Sequence, residues 1–395
     1  MNLLIRLSIP LAALALAPLA CDGPPSTKPD RGGSVASAGL PPAAPPSVAA
    51  PAASAEAPPG SAPAPAPAAP VTPTRVVLEE KAMGTHILLA AFTGEALGEA
   101  AIRLRLEKAL AEIRRLEGLM TTWRDDSEIS RVNAGAGKVA VEVSPESLTV
   151  IDKSLWISKE SEGVFDITFE AMHGLWKFDQ DREDNVPERA AVEKARKLID
   201  YRQIKVDYAK RTVMLAKPRM RMSLGGIAKG YAVDAAARVL REEGLSSFFV
   251  QAGGDLYVAG KKPDGSRWRV GVRDPRGKDA NDYFATIEVE DHAFSTAGDY
   301  ERSFLKGGKR YHHIIDPRTG FPATASRSVT LWAKDALTAD ALDDAVFILG
   351  PEKGLKLVES IEDAGAVIVD KNNKVWISKR LTGKINKLRE PTDAH

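Results

Sequence analysis

Ser223-Leu-Gly-Gly-Ile-Ala-Lys-Gly230 is the stretch on which the reading of this chain turns. Gly225-Gly226 suits a backbone that bends tightly and comes close to its neighbours. Residues 227–243 then read as a helix, with Gly244 placed to close it. The first N–H groups of a helix lack partners within it and draw anions. Lys229 adds a positive charge inside the first turn. Alone, the run describes a phosphate site and equally a tight strand-to-helix turn with a surface lysine.

Outward toward the C-terminus, short strands read at 247–251, 256–258, 268–272 and 284–289. A helix is predicted over 338–349, stopped at Gly350-Pro351, then a last helix over 352–361 and a hairpin over 366–378. Toward the N-terminus, 203–215 alternates as a strand pair turning near Ala209, while 188–198 and 146–161 read as helices. In 95–120, Ile102, Leu106, Leu110, Ile113, Leu116 and Met120 recur at spacings of three and four, the apolar face of an amphipathic helix. Residues 76–92 read as two strands joined at Met83-Gly84. Strand clusters separated by long helices predict an α+β fold rather than a βαβ repeat. The folded domain is expected over 76–380, with a polar tail at 381–395. Gly135-Ala-Gly137 superficially suggests a dinucleotide fingerprint, but it precedes the strand-like 139–143 instead of opening a helix, so that reading is rejected.

The first 75 residues have a different character. Residues 1–20 carry one charge, Arg6, and an apolar run over 7–17, the pattern of an export signal. That run is shorter than the about 20 residues a membrane-crossing helix needs. Cys21 is the only cysteine, which excludes an internal disulfide. Its place directly after Leu19-Ala20 resembles the lipid-attachment site of bacterial lipoproteins. Ordinary cleavage nearby would instead leave a soluble periplasmic protein. The rest of 21–75 is a Pro/Ala-rich linker, in which Glu56 is the only charge between Gly32 and Thr74. Such a segment buries too little apolar surface to offset its ordering entropy, so a disordered spacer is expected, holding the domain off the membrane. The chain has 54 Lys and Arg against 53 Asp and Glu, a net charge of +1, which gives no electrostatic case for nucleic acid.

Two further runs carry chemistry. In Tyr311-His-His-Ile-Ile-Asp-Pro-Arg-Thr-Gly-Phe-Pro322, strand geometry points His312 and His313 to opposite faces, so at most one enters a given site. Asp316 stands at the turn that follows, where with Arg318 it either serves chemistry or merely pins the turn. In Asp340-Ala-Leu-Asp343-Asp344, helical spacing lets three carboxylates converge. Carboxylates so crowded repel unless protonated or neutralised by a cation, and an oxygen-only set suits Mg²⁺. Gln251-Ala-Gly253-Gly254-Asp255 reads as a bend between strands, and Trp176 and Trp268 as core. His86, His173, His292 and His395 read as structural or surface residues.

Together these runs resemble the ApbE family, the FAD:protein FMN transferases, over about 78–378. The motifs appear in order: Met83-Gly-Thr; Thr122-Trp-Arg-Asp-Asp-Ser-Glu-Ile-Ser-Arg-Val-Asn133; Gly163-Val-Phe-Asp-Ile-Thr168; Leu224-Gly-Gly-Ile-Ala-Lys-Gly230; Gly253-Gly-Asp255; His313-Ile-Ile-Asp-Pro-Arg-Thr-Gly320; and Asp340-Ala-Leu. The resemblance implies an FAD site lined by Met83, Trp123, Val164, Phe165, Asp166, Lys229 and Ile314. It implies a metal held by the Gly226 carbonyl, Asp340 and the position of Asp344, and the aspartate spacing adds Asp343. Three positions depart from the pattern: Ser223 where the family generally has an FAD-contacting Asp, Asp344 where it has a metal-binding Thr, and Ala297 for Ser. Trp123 occupies a position that is Asn in members that hydrolyse FAD. The expected reaction moves FMN from FAD to a Thr or Ser hydroxyl of a membrane or periplasmic redox protein. His313 is the expected base, with Asp316 as its orienting partner or substitute, and Lys229 and Mg²⁺ offset phosphate charge. The alternatives are an FAD pyrophosphatase using the same residues and a non-catalytic FAD-binding lipoprotein.

Overall fold

The computed structural model describes residues 72–178, 182–279 and 281–394. The expected signal peptide, Cys21, the linker as far as 71, and His395 lie outside them. β1 (Arg75–Ala82) and β2 (Thr85–Phe92) pair antiparallel with Ala82 opposite Thr85. Met83 and Gly84 make the turn at φ of 52° and 68°. Two positive φ values give the hairpin turn that matches strand twist, an uncommon conformation for a methionine. The Glu117 side chain helps to hold it, accepting the Met83 N–H at 2.7 Å.

α1 (Glu99–Met120) buries the six positions of the predicted apolar face. α2 (Glu128–Ala134), β3 (Val141–Glu142) and α3 (Pro145–Glu160) follow, α2 and α3 each N-capped by a serine hydroxyl. A short 3₁₀ turn, Ile167–Met172, leads to α4 (Arg189–Arg196), then to β4 (Ile204–Asp207) and β5 (Thr212–Leu215), the predicted hairpin. α5 (Ala228–Glu242) ends at Gly244, whose φ of 83° only glycine adopts freely. β6 (Phe248–Ala252), β7 (Asp255–Ala259), β8 (Trp268–Arg273), β9 (Tyr283–Val289) and β10 (His292–Gly298) come next. β11 (Ser303–Lys306) and β12 (Lys309–His312) form their own hairpin, followed by β13 (Ile315–Asp316) and β14 (Phe321–Pro322). The chain closes with β15 (Ser326–Ala333), α6 (Ala336–Ser360), β16 (Gly365–Asp370), β17 (Val375–Ile377) and β18 (Ile385–Lys387).

The main sheet runs β1-β2-β6-β7-β10-β15-β16-β17, antiparallel throughout. α1, α5 and α6 lie side by side against it: α1 on β1 and β2, α5 on β6 and β7, α6 on β10, β15 and β16. This is the α+β fold the pattern predicts. The helices predicted over 338–349 and 352–361 are the two arms of α6, broken at Gly350, where φ is 75°. Within the main sheet two strands escape the sequence reading, β10 and β15, although they sit mid-sheet; the short β11, β13, β14 and β18 outside it escape as well. Residues 381–394 differ from the expected tail: β18 pairs with β9, and Arg389 binds Asp274 and Asp282. Among the described residues no helix is long and apolar enough to cross a membrane.

Candidate active site

The site grows from the contact of α5 with α6. A Cβ on Gly230 would fall 2.3 Å from the Ala336 carbonyl oxygen and 2.7 Å from Asp340 Cβ, so only glycine lets the two helices come this close. The approach lets the Gly230 N–H donate to Asp340 Oδ2 at 2.7 Å and puts Lys229 Nζ 3.2 Å from Asp340 Oδ1. Asp234 pins the start of α6, accepting the Ala336 and Leu337 N–H groups at 2.8 Å each. The phosphate-site half of the first reading therefore has its lysine turned inward, onto the predicted aspartate helix.

A residue that the sequence reading left as part of a bend completes the group. Asp255 opens β7, and its Oδ2 lies 2.8 Å from Lys229 Nζ. The Ser295 hydroxyl on β10 lies 2.6 Å from both Asp255 Oδ1 and Asp343 Oδ2. Asp343 Oδ1 accepts the Asp344 N–H at 2.5 Å. Oxygens of Asp255, Asp340 and Asp343 all lie within 4.8 Å of one another, buried. Asp344 stands beside the glycine loop: its Oδ2 is 3.2 Å from where a Gly226 Cβ would stand, and Phe165 Cε2 is 3.7 Å from the same point. Gly226, Phe165 and Asp344 thus meet as expected neighbours.

Burial, with Asp255 and against Lys229 and the Gly230 N–H, pushes the Asp340 carboxyl up to about 7. Burial pushes Asp344 up to about 6, and burial with Asp344, Asp340 and Asp255 holds Asp343 well above the carboxylate range. Burial opposes the Lys229 ammonium, but Asp255, Asp340 and Asp343 outweigh it and raise its pKa above the ordinary lysine range. Acids that resist ionisation until a cation arrives, with oxygen-only donors, fit a divalent metal.

Around this group the glycine loop is tied to the 163–168 turn, since the Ser223 N–H donates to the Ile167 carbonyl at 2.9 Å. The Ser223 hydroxyl accepts the Gly225 N–H at 3.2 Å. Asp166 is spent inward, accepting Thr168 N–H (2.8 Å), Thr168 hydroxyl (2.6 Å) and Tyr201 N–H (2.8 Å). Val164, Phe165 and Ile314 are buried, whereas Trp123, on the α1–α2 connection, is 56% exposed. Met83 stays at the β1–β2 turn, and no hydrogen bond or ion pair joins it or Trp123 to the aspartates.

The two histidines part as predicted. His312 is core: its Nε2 lies 2.8 Å from the Ala323 carbonyl, its Nδ1 accepts the Ile314 N–H at 3.3 Å, and its ring meets Phe347 edge-on. His313 is half-buried, with Nδ1 enclosed and lacking a hydrogen-bond partner. Burial, with Arg302, His312 and Lys229, holds its pKa well below the usual value. The expected orienting contact from Asp316 is not formed. Its carboxylate is forked by Arg318 at 2.9 and 2.8 Å and also takes the Arg318 N–H at 2.9 Å, which pins the turn. Asp255 carried a faint signal, the two glycines before it; Ser295 carried none.

A glycine-opened helix start, an inward lysine and a nest of carboxylates are chemically suited to a phosphate-bearing ligand and a divalent cation. The ApbE family model matches residues 83–368. The FAD:protein FMN transferase of Treponema pallidum (strain Nichols) is 33% identical over 303 residues, 73% of this chain and 83% of that protein. The one from Escherichia coli (strain K12) is 30% identical over 309 residues, 76% and 87%. The crystal structure of the ApbE protein from Thermotoga maritima matches with a TM-score of 0.72 and 32% identity, covering 79% of this chain and 99% of that one. The flavin transferase ApbE from Vibrio cholerae gives 0.70 and 26%, covering 79% and 100%. The chain belongs to the ApbE family.

Proposed function

We propose that this chain is an FAD:protein FMN transferase that joins FMN through a phosphoester to a Thr or Ser hydroxyl of a membrane or periplasmic redox protein and releases AMP. The observation that carries the reading is Lys229 Nζ standing 2.8 Å from Asp255 and 3.2 Å from Asp340 at the glycine-opened start of α5. Among the described residues, Asp255, Asp340 and Asp343 are the one group of carboxylates close enough together to share a metal ion, and Lys229 stands against two of them.

Asp340, Asp343 and Asp344, with the Gly226 carbonyl, would hold Mg²⁺; when bound, the ion supplies positive charge against the diphosphate. The Lys229 ammonium, in the first turn of α5, attracts the diphosphate and offsets the charge that grows on the departing phosphate. Phe165, beside Gly226, gives the site an apolar wall. His313 Nε2 takes the proton of the acceptor hydroxyl as that oxygen bonds to the FMN-side phosphorus. The bond from that phosphorus to the bridging oxygen breaks, and AMP leaves with its electron pair. A depressed pKa keeps the imidazole unprotonated near neutral pH, while making it a weaker base than a free histidine.

His313→Asn tests the chemistry. FAD binding should persist while transfer falls by about 10²–10⁴-fold, the usual contribution of a positioned base; unchanged transfer removes His313 from the mechanism. The export signal over 1–20, Cys21 and the Pro/Ala-rich spacer support a lipoprotein on the periplasmic face of the membrane. In that setting the spacer sets the reach to a membrane-bound acceptor.

A further inference from the structure

We infer that Asp255 and Ser295 form a buried brace that positions Lys229 and Asp343, locking the cationic and metal-binding sides of the site to the centre of the sheet. The inference rests on the transferase reading and deepens it.

Both residues are only 1% exposed, too deep to touch a nucleotide or an acceptor. What they touch is the machinery. One oxygen of Asp255 faces Lys229 Nζ at 2.8 Å and the other the Ser295 hydroxyl at 2.6 Å, while that hydroxyl is also 2.6 Å from Asp343. Lys229 stands on α5 and Asp343 on α6, so a single chain of contacts, Lys229–Asp255–Ser295–Asp343, ties two helices through two strands.

The backbone is shaped for this contact. β7 and β10 are antiparallel neighbours with Leu256 opposite Phe294, which sets Asp255 and Ser295 one step further along the same pair. A Cβ on Gly254 would stand 2.7 Å from the Thr296 carbonyl oxygen, so glycine there lets the β6–β7 turn lie against β10. β10 is itself flanked by β7 and β15, a fixed mount inside the sheet. Without the brace, Lys229 keeps its ion pair with Asp340, and Asp343 keeps the Asp344 N–H. A lysine that leans harder on Asp340 competes for the oxygens a cation needs, and a loosened Asp343 must be ordered when the cation binds. Asp255 and Ser295 are thus positioning residues; both effects weaken cation binding more than they weaken nucleotide binding.

The test measures Mn²⁺ binding to FAD-free protein by electron paramagnetic resonance, alongside KM for FAD and kcat for transfer, in wild type, Ser295→Ala and Asp255→Asn. In each variant Mn²⁺ affinity should fall about tenfold, equivalent to ~1.4 kcal/mol, and kcat should fall with it, while KM for FAD stays within about twofold. If either variant folds with a wild-type melting curve and binds Mn²⁺ as tightly as wild type, the brace is refuted and the transferase reading stands. If Ser295→Ala fails to fold, Ser295→Cys, nearly isosteric and a much weaker hydrogen-bond donor, decides in its place. Wild-type protein that binds no Mn²⁺ would sink the metal centre, and the brace with it.

Discussion

Gly230→Ala sets two physical effects against each other, and the structure says which wins. In a helix interior alanine is favoured over glycine by about 1 kcal/mol, so propensity alone predicts a more stable protein. The new methyl would stand 2.3 Å from the Ala336 carbonyl oxygen, a backbone atom that no side-chain rotation can clear. Real contacts of this kind stay above 3.0 Å, so α5 and α6 must part by about 0.7 Å (3.0 − 2.3). Overpacking of a tight helix contact costs about 1–3 kcal/mol. A clash with backbone belongs at the upper end, which leaves a net loss of about 2 kcal/mol after the propensity gain. For a domain of this size that lowers the melting temperature by about 4 °C. The same shift stretches the Gly230 N–H to Asp340 bond and moves Asp340 from Lys229. Misplacement on this scale costs on the order of 10²-fold in rate. Thermal melting and FMN transfer to an acceptor measure the two effects. A variant that melts higher than wild type and transfers normally would refute the α5–α6 geometry.

His312 predicts a pH dependence of stability. Burial holds its pKa below the ordinary histidine value of about 6.5, so between its folded pKa and about 6.5 the unfolded chain binds the extra proton. Its contribution is full above about pH 6.5 and is lost as pH falls through the folded pKa, with a slope of up to about 1.4 kcal/mol per pH unit. Urea midpoints between pH 5 and 7.5 should fall less steeply toward acid in His312→Gln than in wild type; parallel curves would contradict the assignment. Asp316→Asn should cost no more than about 1 kcal/mol, since its partner Arg318 is half in solvent. Transfer should stay within about twofold of wild type, and a loss as deep as that of His313→Asn would return Asp316 to the mechanism.

How much of this was legible depended on where each residue's partners lie. The face of α1 shows in the sequence because one side is buried and the other wet, which writes a period of three to four residues. β15 is buried at every position, so Ser326, Arg327, Ser328 and Thr330 leave no alternation to read, and a central strand looks like a loop. The closing segment looks like a tail until Arg389 is seen at Asp274, 115 residues away. In the site, Asp340 and Asp343 could be placed on one helical face by spacing alone. Asp255 and Ser295 arrive from separate strands, and no local pattern announces a hydroxyl shared between distant carboxylates. Asp316 shows the reverse error: a plausible partner two residues on, Arg318, had already claimed it.

The most direct measurement is mass spectrometry of an acceptor protein incubated with this chain and FAD, with Mg²⁺, with excess chelator, and with Asp340→Asn in place of wild type. The account predicts an FMN-sized addition at a threonine or serine, with stoichiometric AMP, only for wild type with Mg²⁺. Equal modification in the chelated sample or by Asp340→Asn would contradict it.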